Sequence, residues 1–315
     1  MTGANSRSKP TFSVIIAVYN GEKTIARAIE SVLSQSYPAQ EIIIIDDGST
    51  DNTKTQVQQF DRRLTYYYQK NAGVSAARNK GVELADSEWV CFLDADDWYY
   101  ENRLQYYAEL IANHPAVDFV TGNFDYIDET GQLLRQSMPS TIAGKKILSR
   151  AGDQKSFIME GELINDFIEQ HFGDTHTLTL KKTDFLILGG YPVGVAVCED
   201  VNFLIRLCAI SQKIGVITEP VAAYYIHQNS ATRSDPLRAQ QQSVDSLIRL
   251  KSVIKRSRPQ LFSGLLAGIR HARLDLAYTL IKMGKRIEAV KSVLPLLLEN
   301  PGGKSLRDVL SIIKG

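Results

Sequence analysis

The chain has 315 residues, of which 44% are apolar and 23% charged, with a formal net charge of +1. That composition supports a sizeable core and excludes global disorder, and the near-zero charge gives no electrostatic case for binding nucleic acid. The length fits one large domain with an appendage, or two domains.

Met1–Pro10 is polar and has no apolar core segment, so a disordered tail without a secretory signal is expected over residues 1–10. The following stretch, to about residue 120, alternates strand and helix patterns, which predicts an α/β domain with a mostly parallel sheet. Phe12–Val18 reads as a buried strand ending at Tyr19-Asn20-Gly21. Ile25, Ile29, Val32 and Leu33 follow at helical spacing, and Pro38 closes that helix. Ile42–Ile45 is a run of isoleucines, the pattern of a central strand buried on both faces. It ends at Asp46-Asp47-Gly48-Ser49, and Asp51 is placed to cap a short helix. Leu64–Tyr68 predicts a third strand, followed by a loop at Asn71-Ala72-Gly73 and a helix from Ser75 to Leu84. Trp89–Leu93 predicts a fourth strand that runs into Asp94-Ala95-Asp96-Asp97.

The middle of the chain is less regular. Val117–Ile127 and Gln132–Arg135 predict a hairpin across Asp128-Glu129-Thr130-Gly131. Residues 137–175 show weak periodicity and read as loops and short helices. Leu178–Lys181 reads as a strand and Lys182–Leu188 as a helix ending at Gly189-Gly190. Glu199-Asp200 opens a helix carrying Val201, Leu204, Leu207 and Cys208; Ile214–Thr218 and Val221–Ile226 read as two strands ending near His227. From Leu237 the pattern is helical, broken at Pro259, Pro295 and Pro301, which places a boundary near residue 235. Cys91, Cys198 and Cys208 lack C-x-x-C spacing and read as reduced residues of a cytosolic protein. No apolar run approaches the length of a membrane span.

Four strand ends thus carry polar or glycine residues, and ligands of open parallel sheets bind outside the carboxyl ends of the strands. A lone acidic triplet reads as a solvated turn. Here Asp94-Ala95-Asp96-Asp97 falls on the same edge as the other polar ends, and a D-x-D spacing lets two carboxylates face one hard cation such as Mg²⁺ or Mn²⁺.

In this order, Ser13–Asn20, Ile45–Asp51, Asn71–Gly81, Phe92–Asp97 and Glu199-Asp200 resemble the family 2 glycosyltransferases of the GT-A fold. The resemblance is strong over residues 12–110, fair over 175–227 and absent from the tail; Ala17 stands where the family usually has proline. It implies an α/β, Rossmann-like, mostly parallel sheet flanked by helices, with a C-terminal helical appendage. The catalytic domain would span 11–235, with 11–110 as the nucleotide half and 111–235 as the acceptor half, and 236–315 would be the helical region. It implies metal-dependent, inverting transfer from a nucleotide sugar, UDP-linked by family frequency, to a saccharide or lipid-linked acceptor in cell-envelope polymer synthesis. The setting would be cytoplasmic, at the inner face of the membrane.

The same resemblance assigns residues. Ala17, Tyr19 and Glu22 would border the base, with Tyr19 near the ring; Tyr19 reads equally well as a half-buried strand-end aromatic. Asp47 would accept a hydrogen bond from the base. Arg78 would sit near the diphosphate, where guanidinium suits phosphate oxygens, with Asn71 and Gly73 in the same loop. Asp94 and Ala95 would lie on the ribose side, Asp96 would ligate Mn²⁺ or Mg²⁺, and Asp97 would contact the donor sugar. Asp200 would be the general base supported by Glu199, although acids at a helix start also serve the dipole. His227 is a candidate metal or phosphate contact and His176 a candidate acceptor-cleft residue; a lone histidine is as often a structural hydrogen bonder.

Two other classes compete. A sugar-nucleotide-forming nucleotidyltransferase would carry a glycine-rich basic loop after the first strand, where this chain has Tyr19-Asn20-Gly21-Glu22. A non-catalytic sugar-nucleotide scaffold would have lost the D-x-D or the base. In the tail, basic residues from Arg249 to Lys291 face only Asp275 and Glu288 within that segment, and Leu265, Ile269, Leu276 and Leu280 have amphipathic spacing. This reads as a helical appendage with solvated charges, or as a surface for anionic membrane.

Overall fold

The computed structural model describes residues 9–60, 64–195, 197–227 and 235–314. The expected disordered tail therefore lies almost wholly outside the described residues, as do Gln228, Asn229 and Ser230 after His227. The chain forms two compact units that interleave in sequence. The first comprises Met1–Gly161, Phe172–Gly194 and Ser211–Ile226; the second comprises Glu162–His171, Val195–Ile210 and His227–Gly315. A single boundary near residue 235 leaves two of these second-unit segments with the sheet.

The first unit is built on strands β1 (Phe12–Val18), β2 (Glu41–Asp46), β3 (Thr65–Tyr68), β4 (Trp89–Asp94), β5 (Trp98–Tyr99), β6 (Phe119–Asp128), β7 (Leu133–Gln136), β8 (Ser156–Met159), β9 (Thr179–Lys181) and β10 (Ile214–Ile226). Their order is β3-β2-β1-β4-β9-β6-β10-β5, with β7 on β6 and β8 on β10. The block β3-β2-β1-β4 is parallel, and β9 runs antiparallel to both β4 and β6. Every residue of β1 is buried, and Ile42–Ile45 are buried in β2, as runs covered on both faces must be.

Helices α1 (Ile25–Leu33), α2 (Thr53–Val57), α3 (Val74–Leu84), α4 (Arg103–Asn113), α5 (Ile142–Ala151) and, after α6 (Glu162–Glu169) of the second unit, α7 (Lys182–Ile187) complete the first unit. Ile25, Ala28, Ile29 and Val32 form the buried stripe of α1. The hairpin β6–β7 forms as the sequence predicts, with Asp128 accepting the N–H groups of Thr130 and Gln132 in the turn.

Two readings of the middle segment are corrected. Residues 137–175 contain the ten-residue helix α5, capped by the Thr141 hydroxyl on the Gly144 N–H, and the strand β8. β8 is too short to show a period and forms because it pairs antiparallel with β10. The two strands expected over 214–226 are one strand, β10, with register shifts on either side of Pro220, which has no N–H for the ladder.

The second unit is helical: α6, α8 (Glu199–Ile210), α9 (Pro236–Arg249), α10 (Lys251–Ser257), α11 (Phe262–Lys282), α12 (Arg286–Val293), α13 (Leu296–Glu299) and α14 (Gly303–Lys314). Leu265, Ile269, Leu276 and Leu280 of α11 are buried, so the apolar face seen in the sequence is core. Gly264 lets α11 approach α6 closely: a Cβ there would meet the Asn165 carbonyl oxygen at 2.2 Å, and the Gly264 N–H donates to Asn165 Oδ1 at 2.8 Å. The supposed excess of charge in the tail is also corrected. Arg258, Arg270 and Arg273 are buried; Arg258 donates to the Cys208 carbonyl, Arg270 pairs with Asp308 at 2.5 Å, and Arg273 grips Glu299 at 2.9 and 3.0 Å. Glu299 and Asp308 lie beyond the segment that the sequence balance counted. Among the described residues no helix is long and apolar enough to cross a membrane.

Candidate active site

In the first unit, the carboxyl ends of β1, β2 and β4 lie side by side, with Ala17 in register with Ile45 on one flank and Asp94 on the other. The loops leaving β1 and β2 are cross-tied. Asn20, at φ 52°, donates its N–H to Ser49 and accepts from the Thr50 N–H, both at 2.8 Å. The Gly21 N–H donates to Thr53 Oγ1 and the Glu22 N–H to Asp51 Oδ2. Glu22 Oε2 accepts both the N–H and the Nδ2 of Asn52 at 3.0 Å. Asp51 is not the N-cap of α2, which is Asn52 without a side-chain capping bond; from one residue earlier it accepts the Thr53 N–H at 3.0 Å. Above this knot Tyr19 is 56% exposed, so its ring face is open to a ligand.

The two aspartates at the end of β2 are held by the chain itself. Asp46 accepts the Tyr66 hydroxyl at 2.6 Å and the Ser49 N–H at 2.8 Å. Asp47, buried, accepts Gln69 Nε2 at 2.7 Å, the Ala72 N–H at 2.9 Å and the Gly73 N–H at 2.8 Å. The carboxylate therefore shapes the loop Asn71-Ala72-Gly73 that precedes α3. Gly73 has φ +90°, and no atom lies within 4 Å of where a Cβ would sit, so the loop borders open space.

The end of β4 is crowded with carboxylates. Asp94 and Asp96 are partly exposed and Asp97 is buried. Arg78, on α3, donates Nη2 to Asp94 Oδ1 at 2.6 Å, and its guanidinium lies 5.2 Å from the Tyr191 ring. Asn79 fixes the backbone of Tyr191 with two hydrogen bonds, at 2.8 and 2.9 Å. Asp97 Oδ1 accepts the Tyr225 N–H at 2.8 Å, and Oδ2 lies 3.4 Å from His176 Nδ1. Burial, then the charges of Asp96 and Asp94, push the Asp97 carboxyl well above the usual aspartate range, against the Tyr225 N–H. His176, expected in an acceptor cleft, is buried against Asp97 with its ring edge-on to Phe124.

Sequence reasoning missed Arg27. Its Nη2 donates to the Asp96 carbonyl at 2.6 Å, and its guanidinium lies over the rings of Trp98 and Tyr225 at 3.9 and 4.6 Å. This cation sits beneath the acidic turn. Its only sequence signal is a helical arginine beside a buried stripe, since its partners lie far along the chain.

The acidic turn fits a divalent cation. Its partly exposed donors are hard oxygens, as Mg²⁺ and Mn²⁺ prefer, and mutual repulsion raises the benefit of a positive charge there. Among the described residues no group of three His, Cys, Asp or Glu side chains is placed to hold a metal ion by itself.

Glu199, Asp200 and His227 belong to the second unit. Glu199 is buried in the first turn of α8, and Asp200 Oδ1 accepts the Val201 N–H at 2.7 Å. Burial lowers the pKa of His171 in the same unit, while the Asp200 charge opposes the shift. Cys198 precedes α8 at φ 65°, a rare conformation for a residue with a side chain.

Residues 13–174 match the family described as glycosyl transferase family 2. An uncharacterized glycosyltransferase of Rickettsia conorii is 34% identical over 133 residues, 41% of this chain and 22% of that protein. The UDP-Glc:alpha-D-GlcNAc-diphosphoundecaprenol beta-1,3-glucosyltransferase WfgD of Escherichia coli is 31% identical over 160 residues, 49% of this chain and 62% of that protein. The matched region thus spans between about a fifth and three fifths of these relatives' length. Among solved structures, S. aureus TarS 1-349 superposes with a TM-score of 0.68 at 18% identity, covering 96% of this chain and 90% of that one. Its complex with UDP-GlcNAc gives a TM-score of 0.67 at the same identity and coverage. At that identity the likeness establishes the fold.

Proposed function

This chain belongs to glycosyl transferase family 2, and from that premise we propose that it transfers a hexosyl group from a UDP-sugar to a saccharide or lipid-linked acceptor of a cell-envelope polymer, inverting the anomeric carbon. The observation that carries the reading is the convergence, on one edge of the first unit, of exposed Tyr19, the Asp47-shaped loop, the Arg78–Asp94 pair and Asp96. The UDP donor is supported by the activity named for the WfgD relative and by the UDP-GlcNAc complex of TarS, and the lipid-linked acceptor by the activity named for WfgD.

In this reading Ala17 and Tyr19 border the base. Asp47, saturated by its own chain, acts on the base through the shape of Asn71-Ala72-Gly73, and Glu22 acts by tying the loops that frame it. Arg78 supplies positive charge to the diphosphate side, and Asp94 orients it. Asp96 would hold Mn²⁺ or Mg²⁺, with Asp94 on the ribose side. When bound, that ion offsets the charge of the leaving nucleoside diphosphate. Asp97, anchored by Tyr225 and His176, fixes the turn. Asp200 takes the proton from the acceptor hydroxyl, Glu199 supports it, and His227 is a further contact to the donor phosphates or ion.

The test is release of UDP from a panel of UDP-sugars with saccharide and lipid-linked acceptors, with and without divalent ion. Activity that appears only with the ion, and an Asp200→Asn variant that keeps its UDP affinity while turnover falls by roughly 10²–10⁴-fold, are expected. Near-normal turnover in Asp200→Asn sinks the base assignment. Absence of binding by every nucleotide sugar sinks the whole reading.

A further inference from the structure

The second unit carries an outward face that its own packing does not explain. The backbone stays helical from α12 through Leu294 and Pro295 into α13. At 3.6 residues per turn, Ile287, Lys291, Leu294 and Leu298 fall on one side of that path. The opposite side holds Ala289, Val293 and Leu296, all buried. Ile287 is 74% exposed and Leu298 is 89% exposed. The neighbouring helix α14 packs on α12 and α13 and repeats the pattern. Val309 and Ile312 are its buried side, while Leu306, Leu310 and Ile313, at i, i+4 and i+7, form an exposed stripe flanked by Arg307 and Lys314.

Apart from exposed Glu288, which pairs with Lys285, the charges on this surface are arranged by sign. Glu299 is drawn inward by Arg273 and Asp308 by Arg270, while Lys291, Lys304, Arg307 and Lys314 are exposed. Lys304 stands at the amino end of α14, where the helix dipole disfavours a cation, whereas Lys285 at the start of α12 pairs with Glu288 at 3.7 Å. Helix stability therefore does not account for Lys304.

We propose that this face of α12–α14 is an interfacial docking surface for an anionic lipid bilayer, with the aliphatic stripes entering the headgroup boundary and the lysines and Arg307 meeting lipid phosphates. Charge selects this occupant. A second copy of the chain would bring the same cations against one another, whereas an anionic surface complements them, and alternating aliphatic and basic residues on a helix suit the interface. The absence of any membrane-crossing helix among the described residues fits a protein that lies on the bilayer. The proposal stands on the second unit alone and is independent of the donor or acceptor used by the enzyme.

The test is co-sedimentation of the full chain with phosphatidylcholine vesicles, with and without about one third phosphatidylglycerol, at low and high salt. Binding to the anionic vesicles only, reversed by salt, is expected. Replacing Lys291, Arg307 and Lys314 by Gln should weaken it about fivefold per residue. Leu306→Gln with Leu310→Gln should weaken it about tenfold without changing the far-ultraviolet circular dichroism. Thermal unfolding of each variant checks that the fold is kept. A chain that stays in the supernatant with anionic vesicles at low salt overturns the proposal. So does equal binding to neutral vesicles, or binding unchanged by either set of substitutions. Concentration-dependent self-association in the absence of lipid, abolished by Leu306→Gln with Leu310→Gln, assigns the face to a second copy instead.

Discussion

Charges crowd together at the end of β4 and again between α11, α13 and α14, and they are matched in opposite ways. In the helical unit two buried guanidinium groups meet carboxylates, Arg273 holding Glu299 with two nitrogens and Arg270 holding Asp308, while Arg258 meets the Cys208 carbonyl. At β4 three carboxylates occupy four positions, and the charges of Asp94 and Asp96 raise the pKa of Asp97 on top of its burial. The first arrangement lowers the energy of the protein as it stands. In the second, carboxylates outnumber the cations nearby: Arg78 pairs with Asp94, Arg27 lies beside the turn, and Asp97 is pushed toward its neutral form. An excess of carboxylates over cations at a strand end leaves room for an added positive charge, in keeping with the proposed ion.

The largest expected effect breaks that contrast at β4. Asp96→Ala should lower sugar transfer by about 10²–10³-fold, the scale of removing one preorganised electrostatic group from a transition state. Stability should hold or rise, since like-charge repulsion is relieved. Thermal unfolding without divalent ion and UDP release with it measure the two halves. A variant that loses several degrees of melting temperature makes the acidic turn structural.

Arg273→Ala is the mirror experiment. It leaves partly buried Glu299 beside Lys251 alone, removes the bond to the Ser292 carbonyl, and should destabilise the protein by roughly 2 kcal/mol in chemical denaturation. Donor hydrolysis by the remaining folded protein should be unchanged. Loss of hydrolysis with stability intact would show that the tail charges serve the reaction.

Asp47→Asn tests a region between these extremes. The carboxylate accepts three donors from its own chain, and an amide nitrogen in place of one oxygen opposes either the Gly73 N–H or the Gln69 and Ala72 donors. A loss of about 2 kcal/mol is expected. UDP affinity should fall as well, because the Asn71–Gly73 loop loosens. Unchanged stability with weakened UDP binding would return Asp47 to direct contact with the base.

The contrast between the two regions also shows what a sequence exposes. The strands β1 to β4, their polar ends and α8 were legible because local patterns generate them: seven consecutive buried residues in β1, four isoleucines in β2, acids at a helix start. The D-x-D was legible as chemistry because it is contiguous. Arg27 was not legible, since its contacts with Asp96 and Trp98 join residues about 70 positions apart and leave no local trace. For the same reason the tail read as uncompensated charge: Arg270 finds its partner 38 residues away and Arg273 finds its own 26 away. Asp47 and His176 were singled out by position, and only tertiary contacts show that the one is saturated by a loop and the other buried beneath Asp97.

The smallest effect concerns the pH dependence of the matched region. Burial raises the pKa of Glu299, but the Arg273 hydrogen bond and charge, with Lys251, outweigh it and leave the carboxyl below the usual glutamate range. A carboxyl depressed in the folded state binds protons more weakly there than in the unfolded chain. Its contribution is therefore complete above the ordinary glutamate pKa and is lost as pH falls through the folded value. The size is that of a partly screened pair, about 1 kcal/mol. Glu299→Gln should accordingly melt below the wild type at neutral pH, and the two melting curves should converge as the medium is acidified past the glutamate range. A gap that persists at low pH would mean that Gln disturbs packing around Ser292 and Arg273, and that the ion pair contributes little. Convergence would establish that the Glu299 carboxyl of the helical unit is matched internally, in contrast to β4, where three carboxylates share fewer cations.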